Sequence, residues 1–226
     1  MIFLLVVFLV AYGNAKSLIE PSAVPASPWT GLAFGVALML AVAVMTRAGP
    51  RLSASELGLD RRGSARATAT GFLLGAGAAL AALVVLRFPP LLGEPVRYAP
   101  LADVAPDALL LRALVLMPLD TALPEELAFR GVLFAWLRRG HGLAHAVIVS
   151  SLVFAAWHIV VVVATLPETN VVVQPLTALL GTLGAFVAIF SGGVIFALLR
   201  ARTERLAAPL AAHATFNAAI LLGLGI

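Results

Sequence analysis

Cysteine is absent from all 226 residues. That removes disulfides, thiolate catalysis and cysteine-held zinc together. Charge is scarce as well. Only 12% of the residues are Asp, Glu, Lys or Arg, against roughly 25% in a soluble domain. Lysine occurs once, as Lys16, so the net charge of +4 comes almost wholly from arginine. Aromatics make up 8% of the chain and are not interleaved with a basic cluster, so no nucleic-acid partner is expected. What remains is apolar: 62% hydrophobic residues and a mean hydropathy of +1.05.

Several apolar stretches reach the ~20 residues that span a hydrocarbon core. The sequence predicts an all-α, polytopic transmembrane helix bundle of about seven spans: 2–13, 29–46, 67–87, 107–123 running on to 139, 142–165, 173–199 and 206–224. Residues 1–105 read as N-terminal transmembrane helices and an external, Pro-rich loop at 88–106. Residues 106–226 read as the core that carries the polar motifs, within one compact domain overall. The first span is short. A signal peptide cut after Ala15 is one reading, but the missing N-terminal positive charge favours a retained helix.

Arginines set the expected orientation. Arg47, Arg51, Arg61, Arg62 and Arg66 crowd one connection, Arg138 and Arg139 a second, and Arg200, Arg202 and Arg205 a third, while 164–175 holds no Lys or Arg. Basic loops stay in the cytoplasm. The N-terminus is therefore expected inside and the C-terminus outside.

The fourth segment is too long for one untilted span. From Asp107 to Arg139 it would extend about 50 Å at 1.5 Å per residue, and Pro118 and Pro124 interrupt it. Pro124 followed by Glu125 and Glu126 resembles a helix N-terminus. The sequence thus predicts a break near 118–124 and a separate helix over 124–139.

Ionised groups at membrane depth cost roughly 2.5–3.5 kcal/mol each on insertion scales, and mark functional sites by default. Three sets stand out. Glu126 and Arg130 lie i,i+4 in the favourable acid-first order. Either they compensate each other as a buried ion pair or they belong to a site. Glu125 has no partner on its own helix, so it needs one from elsewhere or stays protonated with a raised pKa; a carboxylate of tunable pKa in a dry site suits a general base. Phe154 and His158 share a face of the fifth span. His213 and Asn217, again i,i+4, aim two polar tips one way. Asp120 and Arg112 either pair with each other or line the entrance. Gly181, Gly184, Gly192 and Gly193 are expected to allow close helix packing.

The order Glu-Glu-x-x-x-Arg, Phe-x-x-x-His, His-x-x-x-Asn resembles the CPBP family of intramembrane proteases. This is the CAAX protease and bacteriocin-processing, or Abi, family, which includes the type II CAAX prenyl endopeptidase. The likeness covers about 120–220 and takes in Phe190-Ser-Gly-Gly and Ala208-Pro209. Leu-Gly-Leu-Asp-Arg-Arg at 57–62 is similar to a loop many members carry.

The resemblance implies an endopeptidase acting on a peptide or membrane-protein substrate at the bilayer. Glu125 would activate water as general base and His158 would share that water. His213 and Asn217 would stabilise the oxyanion, and Glu126 and Arg130 would orient Glu125. No obligatory metal is preferred. Zinc held by Glu125, His158 and His213 is the alternative, although the compact His-Glu-x-x-His pair is missing.

A non-catalytic immunity, resistance or adaptor protein competes with the enzyme, and a transporter competes less well because inverted repeats are not visible. A chain rich in Ala and Arg and poor in Lys points to a bacterial cytoplasmic membrane. It leaves the substrate and the oligomeric state open.

Overall fold

A computed structural model describes residues 1–20, 27–49, 51–60, 62–89, 93–172 and 174–225. Helix α1 is Ile2–Ile19, α2 Pro28–Ala48 and α3 Ser64–Arg87. Helix α4 covers 106–141. Helix α5 is Leu143–Trp157, α6 Ile159–Thr165, α7 Pro175–Thr203 and α8 Ala207–Gly225. In lipid only a helix or a closed barrel satisfies every backbone N–H and C=O, and the apolar runs of this chain take the helical solution. Among the described residues no strand forms, and Tyr98 and Thr169 make one isolated bridge. The chain is an all-α bundle and an integral membrane protein.

Five helices, α1, α2, α3, α7 and α8, are long and apolar enough to cross a bilayer, or six if α5 and α6 count as one bent span. Helix α4 is also continuous, but it carries the charges of the polar motifs. A count of seven therefore requires α4 to cross, and it remains a proposal.

Three expectations are corrected. The first span is longer than 2–13, running from Ile2 to Ile19. The break expected at 118–124 does not occur. Residues 106–141 stay helical, with wide π turns at Arg112–Leu116, Pro118–Ala122 and Leu127–Leu133. Met117, Leu123 and Phe134 donate their N–H groups five residues back, to Arg112, Pro118 and Phe129. The helix thus passes Pro118 and Pro124 without ending, through π turns on either side of Pro118 and just before Pro124. The third correction concerns 142–165, which is two helices bent by 42° between Trp157 and Ile159.

Small residues decide how α3 meets α8. Ala67, Gly71, Gly75 and Ala79 are buried at i,i+4 spacing. A Cβ on Gly71 or Gly75 would overlap the carbonyl oxygen of Ala208 or Ala212. The two backbones therefore touch, the packing that small-xxx-small stripes permit in lipid. The glycines of α7 behave less uniformly than expected. A Cβ on Gly193 would press on Ser151 at 3.1 Å, and one on Gly181 on Val171 at 2.8 Å, whereas Gly184 and Gly192 have nothing within 4 Å.

The main core joins Leu5 and Leu9 of α1, Leu38 and Val42 of α2, Phe129, Leu133 and Phe134 of α4, and Phe154 and Trp157 of α5. Large apolar side chains such as Phe3, Phe72, Leu80 and Leu176 face outward, as a lipid-facing surface requires.

The arginine-rich connections gather at one end. Arg139 pairs with Glu56, Arg200 donates to the Glu56 carbonyl at 2.6 Å, and Arg205 donates to the Arg62 carbonyl at 2.6 Å. Met1 lies at this end too, with its Cγ 3.5 Å from a Cβ built on Gly49. Asn170 meets Glu94, Pro95 and Arg97 elsewhere, in a separate group of loops. Arg61 falls outside the described residues.

Cysteine labelling should therefore find 51–60, 138–142 and 200–205 on one side, cytoplasmic by the arginine rule, and 164–172 on the other. Labelling of 51–60 and 164–172 from the same side would refute this arrangement.

Glu56 adds a pH test at the same end. Its carboxyl is pushed down to about 2, first by the Ser53 backbone N–H, then by Arg139 and the Ser53 hydroxyl. The folded value lies below the ordinary 4.5. The clamp's contribution is thus full above about 4.5 and fades as pH falls toward about 2. The protection of the 57–59 amides, measured against their intrinsic exchange rates at each pH, should fall across that window, and Glu56→Gln should remove that fall.

Candidate active site

The wide turns of α4 place Glu125, Glu126 and Arg130 inside the bundle, each essentially without solvent exposure. Arg130 donates through Nη1 to Glu126 Oε1 at 3.1 Å and through Nη2 to the Gly193 carbonyl of α7 at 3.2 Å. Its guanidinium lies 4.1 Å from the Phe154 ring centroid and 5.3 Å from that of Phe196. Two aromatic faces and an acid thus replace water around the cation.

Glu126 Oε1 also meets His213 Nδ1 of α8 at 2.9 Å. The His213 ring stacks on Phe196 at 5.1 Å and meets Phe154 edge-on at 5.9 Å. Among the described residues, the polar contacts of Glu126 and Arg130 run to each other, to His213 and to Gly193. They hold the His213 ring, and Arg130 also stands within electrostatic reach of Glu125.

Glu125 finds its partner across the helix interface. Its Oε2 lies 3.9 Å from His158 Nε2. The other ring nitrogen, Nδ1, is 2.7 Å from the Phe154 carbonyl. A carbonyl only accepts, so the hydrogen-bond network assigns the proton to Nδ1 and leaves a lone pair on Nε2. His158 Nε2 and an ionised Glu125 are then two acceptors facing one gap. Glu125 Oε2 and Glu126 Oε2 are both buried, with no hydrogen-bond partner among the described residues.

Behind Glu125 a small cavity opens between α1, α2 and α4, with about 10 Å³ open to the centre of a water molecule. That is about one water. Its walls include Tyr12, Lys16, Phe34, Asp120, Glu125 and Trp157. The open question about Asp120 resolves both ways: it pairs with Arg112 and it lines this cavity.

Asn217 stands one turn past His213 on α8, half-buried, with no hydrogen bond among the described residues.

The zinc alternative is not met by this donor arrangement. Among the described residues no three His, Asp or Glu side chains are placed to hold one metal ion. No step is therefore routed through a metal.

Sequence reasoning missed three contributors. Phe196 is a ring on an apolar helix with no motif to mark it. Gly193 acts through its carbonyl, which no side-chain pattern reveals. Asn14 hydrogen-bonds to the backbone at the α5–α6 bend. Its only signal was being a lone amide in an apolar first span.

A family model described as Type II CAAX prenyl endopeptidase Rce1-like matches residues 107–219, half of the chain, and spans all six residues of the candidate site. No curated protein and no solved structure matches.

Proposed function

The chain belongs to the Rce1-like family of type II CAAX prenyl endopeptidases, and on that premise we propose that it is an intramembrane endopeptidase working through water held by Glu125 and His158. Its substrate is a peptide bond in a membrane-associated protein or peptide.

One observation carries the reading: two proton acceptors, Glu125 Oε2 and His158 Nε2, face each other across 3.9 Å. A water donating to both along hydrogen bonds of about 2.8 Å spans about 4.4 Å. A slightly bent version fits the gap and turns its lone pairs outward, toward a carbonyl carbon.

Glu125 takes one proton as the water oxygen bonds to that carbon. The carbonyl π electrons move onto oxygen, and the oxyanion is met by His213 Nε2 and the Asn217 amide. Glu126 at Nδ1 and the Phe196 ring against its face hold His213 in the direction that this donation needs. As the C–N bond breaks, Glu125 returns its proton to the leaving amine.

The direct test compares membrane proteomes of cells expressing the wild type or Glu125→Ala at equal levels. Substrates should appear cut in one and intact in the other. Identical proteomes with a fully retained cellular phenotype would favour the binding protein instead.

A further inference from the structure

At the bend between α5 and α6 the helical hydrogen bond from Val160 to Ala156 is missing. In a straight helix Val160 N–H would donate to the Ala156 carbonyl, four residues back. Here the Asn14 side chain of α1 stands between them. Its Nδ2 donates to the Ala156 carbonyl at 2.9 Å and its Oδ1 accepts from Val160 N–H at 2.8 Å. One carboxamide thus replaces one rung of the ladder, satisfying both orphaned groups. Insertion of a side chain into the i→i−4 ladder is a recognised cause of a sharp kink, and this one is 42°.

His158 sits between the two separated groups, with φ −95° and ψ 7°. Its own N–H turns back to Ala155 at 3.0 Å. That frees the Phe154 carbonyl, which a straight helix would give to the His158 amide. The imidazole Nδ1 takes it instead, at 2.7 Å. The opened rung therefore fixes both the direction of the ring and its tautomer. Gly13 permits the approach: a Cβ there would overlap the Trp157 indole, so α1 lies flush against the residue before His158.

We infer that Asn14 is a positioning residue for the reaction: its inserted carboxamide opens the helix at His158 and presents the Nε2 lone pair to Glu125. The inference rests on the proteolytic reading above. It extends the working site to the first helix, outside the segment matched by the family model.

The test uses the full chain in detergent, with ¹⁵N-labelled histidine, of which there are only four. In the wild type, His158 should appear as the single Nδ1–H tautomer. Asn14→Leu lets Val160 bond directly to Ala156. The Phe154 carbonyl returns to the backbone, and His158 shifts to a tautomer mixture or to Nε2–H. With a quenched fluorescent prenylated CAAX peptide, kcat should fall on the order of 10²-fold, as expected for a displaced catalytic group, while KM stays within about twofold.

Leu9→Ala is the control, removing a fully buried side chain from the same helix. It should lower Tm at least as much, yet keep the tautomer and the turnover per folded molecule. An Asn14→Leu protein with the Nδ1–H tautomer and wild-type kcat overturns the inference. So does a Leu9→Ala protein that reproduces both changes. Glu125→Gln, assayed in parallel, separates the two claims. If it cleaves like the wild type, the protease reading falls, while the tautomer shift still decides what Asn14 does.

Discussion

Glu125→Gln should reduce peptide-bond hydrolysis by roughly 10²–10⁴-fold, the usual contribution of a general base, without unfolding the protein. Glutamine keeps the size and shape of the side chain but cannot take a proton from water. Among the described residues Glu125 Oε2 has no hydrogen-bond partner, so the substitution breaks no bond made by that atom there. Purified wild type and variant should give superimposable circular dichroism and clearly separated cleavage rates. Equal rates would remove Glu125 from the chemistry. The same preparation settles the metal. Exhaustive chelation should leave wild-type cleavage intact if Glu125 and His158 activate water alone. Full loss that zinc restores would instead make Glu125, His158 and His213 ligands, through a rearrangement that turns the His213 ring toward the other two.

Arg130→Met should be the most destabilising single change at the site, by about 3–5 kcal/mol. The guanidinium is completely buried and holds Glu126, the Gly193 carbonyl and the faces of Phe154 and Phe196. Methionine fills much of the volume but leaves the Glu126 carboxylate buried without its cation. The double variant Arg130→Met with Glu126→Gln removes both charges and should regain most of that loss, since apolar or neutral replacement of a whole buried pair is often close to neutral. It should not regain activity, because His213 would lack the carboxylate that holds its Nδ1. Thermal unfolding in detergent and the cleavage assay read the two arms separately. A single variant as stable as wild type would show that the pair is not a buried unit. A double variant no better than the single would show that the loss comes from packing alone.

Much of this protein is legible in its residues. Long apolar runs must become helices in lipid because a backbone there has no water to satisfy it, and the absence of cysteine removes whole classes of chemistry in advance. Glu126 and Arg130 pair as their i,i+4 spacing requires, because that geometry is local. The arginine-rich connections share one end of the bundle, as their charge pattern implied. The order of the three polar motifs was enough to indicate the family.

What the residues left open depends on neighbours distant in sequence. Pro118 and Pro124 read as a helix break, but packing against α2 keeps α4 whole and the strain is taken up by π turns. His158 read as a residue within one straight helix, whereas an amide 144 positions earlier opens that helix beside it. Glu126 reads from its motif as support for Glu125, and the motif does not show the further partner it meets, the His213 ring on the last helix. Whether the first apolar stretch belongs to the working protein was ambiguous from its length and charge. In the bundle it carries Leu5, Leu9, Gly13 and Asn14 into the core and the bend. Local pattern specifies which residues are helical and which are costly to bury. Only the closed bundle decides which buried polar atom satisfies which, because in lipid each must find its partner inside the protein and the partners lie on different helices.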